Sequence, residues 1–440
     1  MNPIATTAPP VDVDALATAL TEARGRTLGL LAPLDDRDQN HQHSELMSPL
    51  VWDLAHIAHY EELWLLRELT GAAPTAEQFD DMYDAFKHPR RERPSLDLLG
   101  PTEARAFAGN VRERVLRLLA SGIERRDVLR REAFLYAMVV QHEHQHDETI
   151  LATLQLRDGG YPIPRRTGPP PQARVADPAV TGEVELAGGT FVMGTDDEAW
   201  AYDNERPAHR VSISPFHIDA APVTNRAYVE FIRRGGYRDD TAWNEAGRAW
   251  RDEAGLAHPQ FWREEPDGSW VRRRFGHWEP LPLDEPVQHV CCYEADAFAR
   301  HAGKRLPTEA EWEHAAAGSD AGAANLGGAE WAPDPIGSHP AGVSTHGVHQ
   351  MLGDVWEWTA TEFTGYPGFA SFPYREYSEV FFDDGYRVLR GGSWATHPLA
   401  IRTTFRNWDL PIRRQIFAGF RCARDGAPTA GPPSEPNPPS

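Results

Sequence analysis

The chain changes texture once, and that change constrains its fold more than any other feature. From about residue 12 to 157, apolar side chains recur at the three- and four-residue spacing of one helix face. From about 183 to 424 they come in short stretches broken by Gly, Pro, Asn and Asp, with many Trp. One regular architecture cannot satisfy both patterns, so an α+β protein of two domains is expected, helical first and irregular second. A length of 440 residues agrees, being too long for a single ordinary core. The boundaries read from the sequence are a disordered N-terminus over 1–11, a helical domain over 12–160 and a Pro-rich linker over 161–182. An irregular domain follows over 183–424, and a disordered Pro-rich tail over 425–440. No tandem repeat is visible.

Four helices are expected in the first part. One spans 13–31. The second runs from Ser48 as N-cap and Pro49 as first helical residue to about 69. The third spans about 102–119 with Thr102 as cap, and the fourth, the most apolar, spans 131–156. Four helices with intervening loops imply a bundle, whose buried faces can carry a metal site. The connection over 71–100 is long for a bundle, and loops of that length are often functional.

The 44 basic and 65 acidic residues give a net charge of -21, which argues against nucleic acid or an anionic membrane as partner. The longest apolar run, 133–140, is far short of the roughly 20 residues of a membrane span. Three cysteines cannot build a disulfide framework, and the N-terminus shows no secretory signal; a cytoplasmic location is expected.

The chemistry concentrates in QHEHQHDETI, within the fourth expected helix. Residues i and i+4 share a helix face and i+2 points away, so His142 and His146 lie together and His144 does not. Their stripe (Leu135, Met138, Val139, Ile150) is otherwise apolar. Two imidazoles there need polar partners, and a shared metal ion supplies them. Glu148, two residues beyond His146, is off that face and suits an orienting role. In VWDLAHIAHYEELWLL, His56 lies on a second apolar stripe with Trp52, Tyr60 and Leu63. Three imidazoles on one side of a metal leave positions open for substrate or O2, but imidazole suits Fe, Zn, Cu and Ni alike. A HxxxH pair by itself also occurs on ordinary acidic surface helices; His56 on the matching stripe is what favours a metal. His59 and His144 read as ordinary polar or supporting residues.

The segments SPLVWDLAHIAHYEELWLLRE and HEHQHDETI are followed by GGTFVMG, DNERPAH, APVTN, EPVQHV, GKRLPTEAEWE, GDVWEWT, RVLRGGSW and GFRCARD. Together they resemble the hercynine oxygenase family, the sulfoxide synthases of ergothioneine biosynthesis. The resemblance spans nearly all of residues 12–424. It implies a DinB-like four-helix bundle followed by a domain like the formylglycine-generating enzyme (sulfatase-modifying factor), related to C-type lectins. It further implies that His56, His142 and His146 hold Fe(II), that O2 is the co-substrate, and that hercynine and γ-glutamylcysteine are the substrates. The product is then a sulfoxide with a new bond from sulfur to the imidazole C2.

Other residues carry implied roles from the same resemblance. FKHPRRERP points to Arg90 and Arg93 as the clamp on the carboxylates of γ-glutamylcysteine, a task suited to the bidentate guanidinium. FPYREYSEVFF points to Tyr374 as the active-site tyrosine, with Tyr377 near the hercynine imidazole. RNWDLPIRRQIFAGFR points to Asn407 and Trp408 against hercynine, the indole through cation–π attraction to its quaternary ammonium. Asp409 then meets the amino group of the thiol substrate, and Gln145 faces hercynine. Trp356, Trp358 and Trp394 read as core.

Three alternatives stay open. A formylglycine-generating oxidase needs a pair of reactive cysteines, and SWATHPLAIRTTFRNW has none. A non-catalytic lectin-like binding module would make the histidines vestigial or a zinc site. The same chemistry with free cysteine, or with a selenosugar to give selenoneine, remains, although Arg90, Arg93 and Asp409 match a dipeptide with two carboxylates and an amine.

Overall fold

The computed structural model describes residues 12–121, 129–164, 172–328 and 330–427. The two termini expected to be disordered and the central part of the expected linker fall mainly or wholly outside these residues. Chain contacts divide the protein into two compact units. One runs to Pro162 and includes Phe275–His277; the other holds Ile163–Arg274 and everything from Trp278 onward.

The first unit is helical. Its long helices are α1 (Val13–Leu31), α2 (Leu50–Glu61), α3 (Pro101–Ala120) and α4 (Leu129–Leu156). α1 packs along α4, and α2 along α3 and α4. Leu20, Leu31, Leu54, Ala58, Val111, Val115, Leu135, Met138 and Leu154 form the buried seam between them. Two helix starts differ from the expectation. Pro49, not Ser48, occupies the N-cap position of α2, with no side-chain cap bond, because the Ser48 hydroxyl is engaged by Arg93 instead. α3 begins at Pro101 rather than after Thr102; Gly100 sits at the cap, its N–H donating to Glu103 Oε2 at 3.0 Å. Beyond Glu61 the α2 helix continues as a π-helical stretch, Glu62–Arg67, a feature frequent near functional sites.

Each long helix of the bundle also contributes one buried charge to a closed ring. Arg24 donates to Glu143 at 2.6 Å and to Glu61 at 2.9 Å; Arg112 donates to Glu61 and to Glu143, each at 2.6 Å. Burial disfavours the Glu143 carboxylate, but the two guanidinium charges outweigh it and hold its pKa below the ordinary value. Breaking such a ring leaves a charge buried and uncompensated, which costs more than the intact ring contributes. Glu61→Gln, keeping shape but not charge, is expected to lower unfolding stability by about 3–5 kcal/mol in denaturant titration. A loss below about 1 kcal/mol would show that water reaches the ring.

The second unit mixes short strands and helices. A four-stranded sheet orders β5 (Asn407–Asp409), β4 (Arg387–Arg390), β3 (Trp356–Glu362) and β6 (Ala418–Gly419). A three-stranded sheet joins β1 (Glu183–Leu186), β2 (Phe216–Asp219) and β7 (Ala423–Asp425). Trp356, Trp358 and Trp394 are buried, and Cys291, Cys292 and Cys422 are buried free thiols. Among the described residues no helix is long and apolar enough to cross a membrane.

Candidate functional site

In the first unit, α2 and α4 turn three histidines toward one point. The ligand nitrogens of His56, His142 and His146 all lie within 4.8 Å of one another. His56 and His142 are buried and His146 is partly so. His56 Nδ1 lies 2.7 Å from the Tyr83 carbonyl oxygen, which can only accept, so that nitrogen carries the proton and Nε2 presents a lone pair. His146 Nδ1 lies 3.2 Å from Asp53 Oδ1, which fixes the same tautomer by the same logic. His56 Nε2 and His142 Nε2 are 3.2 Å apart.

Two nitrogens bound to one ion at about 2.1 Å each would be ~3.0–3.4 Å apart for ordinary coordination angles. The observed separation lies in that interval. Burial first, and the neighbouring His146 second, push His56 and His142 well below the ordinary imidazole pKa. Both are therefore neutral near pH 7, the form that binds metals. Among the described residues His142 Nδ1 is buried without a hydrogen-bond partner, so a bond from its Nε2 to a cation would offset some of that cost. The donor set fits a divalent transition metal with three protein ligands and open positions.

The neighbouring histidines do other things. His144 is buried beside Asp147, its Nδ1 3.3 Å from the carboxylate, and burial drives its pKa down to about 3. His59 Nε2 meets Asp80 at 2.8 Å. Sequence reasoning missed Asp53 and Tyr83 as the groups that orient the trio. Asp53 had a signal, a carboxylate three residues before His56 within the apolar run Leu50–Ala55. Tyr83 had none, because it acts through its carbonyl.

Residues 71–100 wrap this centre. Arg93 is buried, with its guanidinium 3.6 Å from the Trp52 ring centroid, and Trp52 stacks on His56 at 4.6 Å. Arg93 donates to Ser48 Oγ (2.6 Å), Ala85 O (2.9 Å) and His88 O (3.1 Å), which uses three of its five N–H groups. Among the described residues it has no ion-pair partner, and Asp53 is the carboxylate that attracts it most. Burial pushes its pKa down to about 10, so it remains a cation at neutral pH. Arg90 is exposed and donates to Leu46 O at 3.0 Å. Gln145 lies between the two α4 histidines and is half-buried.

In the second unit an aromatic cluster gathers the remaining predicted residues. Trp408 stacks on Phe363 (4.2 Å) and meets the edge of Tyr377 (5.7 Å). Tyr377 stacks on Tyr202 (4.0 Å) and meets Tyr374 edge-on at 6.3 Å. Side chains alternate along a strand, so Asn407 and Asp409 leave β5 on the face opposite Trp408. Asn407 Oδ1 accepts from the Trp408 N–H, and Asp409 Oδ1 from the Leu410 N–H.

Comparisons with known proteins give the following. Residues 19–150 match the DinB superfamily and residues 170–426 the sulfatase-modifying factor enzyme 1-like domain. The chain is 49% identical to a hercynine oxygenase of Mycolicibacterium thermoresistibile, over 93% of this chain and 94% of that protein. It is also 49% identical to a hercynine oxygenase of Mycolicibacterium smegmatis, over 94% of this chain and 99% of that protein. Similarity to a formylglycine-generating enzyme of Streptomyces coelicolor, at 32% identity, covers 61% of this chain and 96% of that protein.

Proposed function

Because this chain belongs to the hercynine oxygenase family, we propose that it is an Fe(II)- and O2-dependent sulfoxide synthase. It joins the sulfur of γ-glutamylcysteine to the imidazole C2 of hercynine and gives γ-glutamyl-hercynylcysteine sulfoxide. The observation that carries this reading is a match over both units at once, since either module alone serves many chemistries. The reaction balances: one S–H and one C–H bond are lost, one C–S bond forms, and O2 supplies the sulfoxide oxygen and one water.

His56, His142 and His146 would hold the iron. When bound, the iron supplies a redox-active cation able to accept a thiolate, an imidazole and O2. Arg90 and Arg93 hold the carboxylates of the thiol substrate; for Arg93, a buried guanidinium with no ion-pair partner among the described residues supports that role. Gln145, Tyr377, Asn407 and Trp408 orient hercynine, Asp409 takes the amine of γ-glutamylcysteine, and Tyr374 delivers a proton during O2 reduction. The buried free thiols support a reducing compartment, the cytoplasm, and a net charge of -21 argues against nucleic acid as partner.

The test offers hercynine, Fe(II) and O2 with γ-glutamylcysteine, free cysteine or a selenosugar in turn, and identifies products by mass spectrometry. Sulfoxide from γ-glutamylcysteine at the highest kcat/KM is expected; a better donor among the others overturns the substrate assignment. Arg90→Ala and Arg93→Ala should each raise KM for γ-glutamylcysteine far more than for hercynine. Loss of a charge-assisted pair is worth roughly 1.5–3 kcal/mol, about tenfold to more than a hundredfold. Equal effects on both substrates would mean that this loop only supports the fold.

A further inference from the structure

The loop assigned to the thiol substrate is bonded to the residues that orient the histidine trio, and this links two tasks that sequence reasoning keeps apart. Three direct ties are present. The Tyr83 carbonyl accepts from His56 Nδ1 at 2.7 Å, and the Met82 carbonyl accepts from the Trp52 indole N–H at 2.9 Å. Arg93 reaches back to Ser48, immediately before α2, while holding the Ala85 and His88 carbonyls of the loop. Its guanidinium also packs on Trp52, the residue stacked on His56. The Tyr83 hydroxyl closes the segment by accepting from the Leu99 N–H at 2.9 Å.

A carbonyl that fixes the tautomer of a metal ligand helps only when its own backbone is held still. Here the Tyr83 N–H donates to Phe79 O at 3.0 Å, Trp52 holds the Met82 carbonyl, and Arg93 holds the segment that follows through the Ala85 and His88 carbonyls. We propose that Arg93 is a positioning residue for His56, so that metal loading and ordering of residues 83–99 are one coupled equilibrium. Coupling of this kind is reciprocal: whatever orders the loop tightens the metal, and the metal orders the loop by the same factor. A dipeptide that engages the loop through its carboxylates alone then tightens metal binding without touching the ion.

This inference rests on the three-histidine metal reading, and the experiment separates the two. Fe(II) affinity is measured anaerobically by chelator competition, without substrates, for the parent chain and for Arg93→Met, Arg90→Met and His142→Ala. Hydrogen exchange of residues 83–99 is followed in the parent with and without Fe(II). Expected are a 10–100-fold weaker Kd for Arg93→Met, a Kd within about twofold of the parent for Arg90→Met, and exchange at 83–99 slowed at least about tenfold by Fe(II). γ-Glutamylalanine, which lacks the thiol, should tighten Fe(II) binding to the parent. Parent-like affinity in Arg93→Met, with iron lost from His142→Ala, overturns the coupling and leaves the metal reading standing. Should Arg93→Met fold poorly, exchange in the parent still decides: no change at 83–99 on adding Fe(II) overturns the proposal. Iron retained by His142→Ala as well overturns the metal reading and this inference with it.

Discussion

His142→Ala is expected to lose most of its bound iron and nearly all C–S bond formation, the largest single-residue effect anticipated in this chain. Its Nε2 lies 3.2 Å from that of His56, and together with His146 it completes a trio of histidines able to hold a metal ion. A site with two imidazoles binds a divalent ion far more weakly than one with three, and alanine also leaves a small cavity among the rings of Tyr60, His56 and His146. His144→Ala is the matched control. That side chain pairs with Asp147, so its loss should reduce stability while iron content per folded molecule stays near the parent value. Metal analysis after anaerobic reconstitution, with circular dichroism to verify folding, makes the comparison. Full iron occupancy in His142→Ala would sink the ligand assignment.

Tyr374→Phe is expected to change the product as well as the rate. Phe keeps the ring and its edge contact with Tyr377 and removes only the hydroxyl. Iron content and the KM values for both substrates should stay near those of the parent. Proton delivery by a positioned acid is worth roughly 10²–10⁴-fold, so sulfoxide synthesis should slow by about that factor. O2 is then consumed by the simpler balanced reaction of the thiol alone, in which both oxygen atoms enter the sulfur to give a sulfinic acid. A changed product ratio is hard to attribute to misfolding, because the protein must be folded to turn over. Parent-rate sulfoxide with no sulfinate would make Tyr374 a packing residue and move the role to Tyr377.

How much of this was legible in the sequence depends on the range over which each feature is set. α1 and α4 were readable because an apolar stripe over several turns repeats the same signal many times. The starts of α2 and α3 were misread because Ser48 and Thr102 have the right chemistry for a cap but are not used as one. Ser48 is taken by Arg93, from 45 residues away. The ring of Arg24, Glu61, Arg112 and Glu143 left no local trace, since a buried charge looks like a surface charge until its partners on three other helices are known.

The sequence by itself determined that the chain is helical and then irregular, and that His142 and His146 share a helix face from which His144 is excluded. Those conclusions rest on periodicity, which the backbone enforces within a few residues. The apolar stripe also favoured His56 over His59, but tertiary structure alone brought His56 from a second helix to within reach of that pair, although His59 is equally buried. It also decided that a carboxylate at 53 and a carbonyl at 83 set the tautomers, and that Arg93 reaches Ser48 and packs on Trp52. These are relations among residues from 27 to 93 apart in the chain, fixed by helix packing and loop closure. No repeating pattern encodes them, because each occurs once and its partners meet only when the chain has folded.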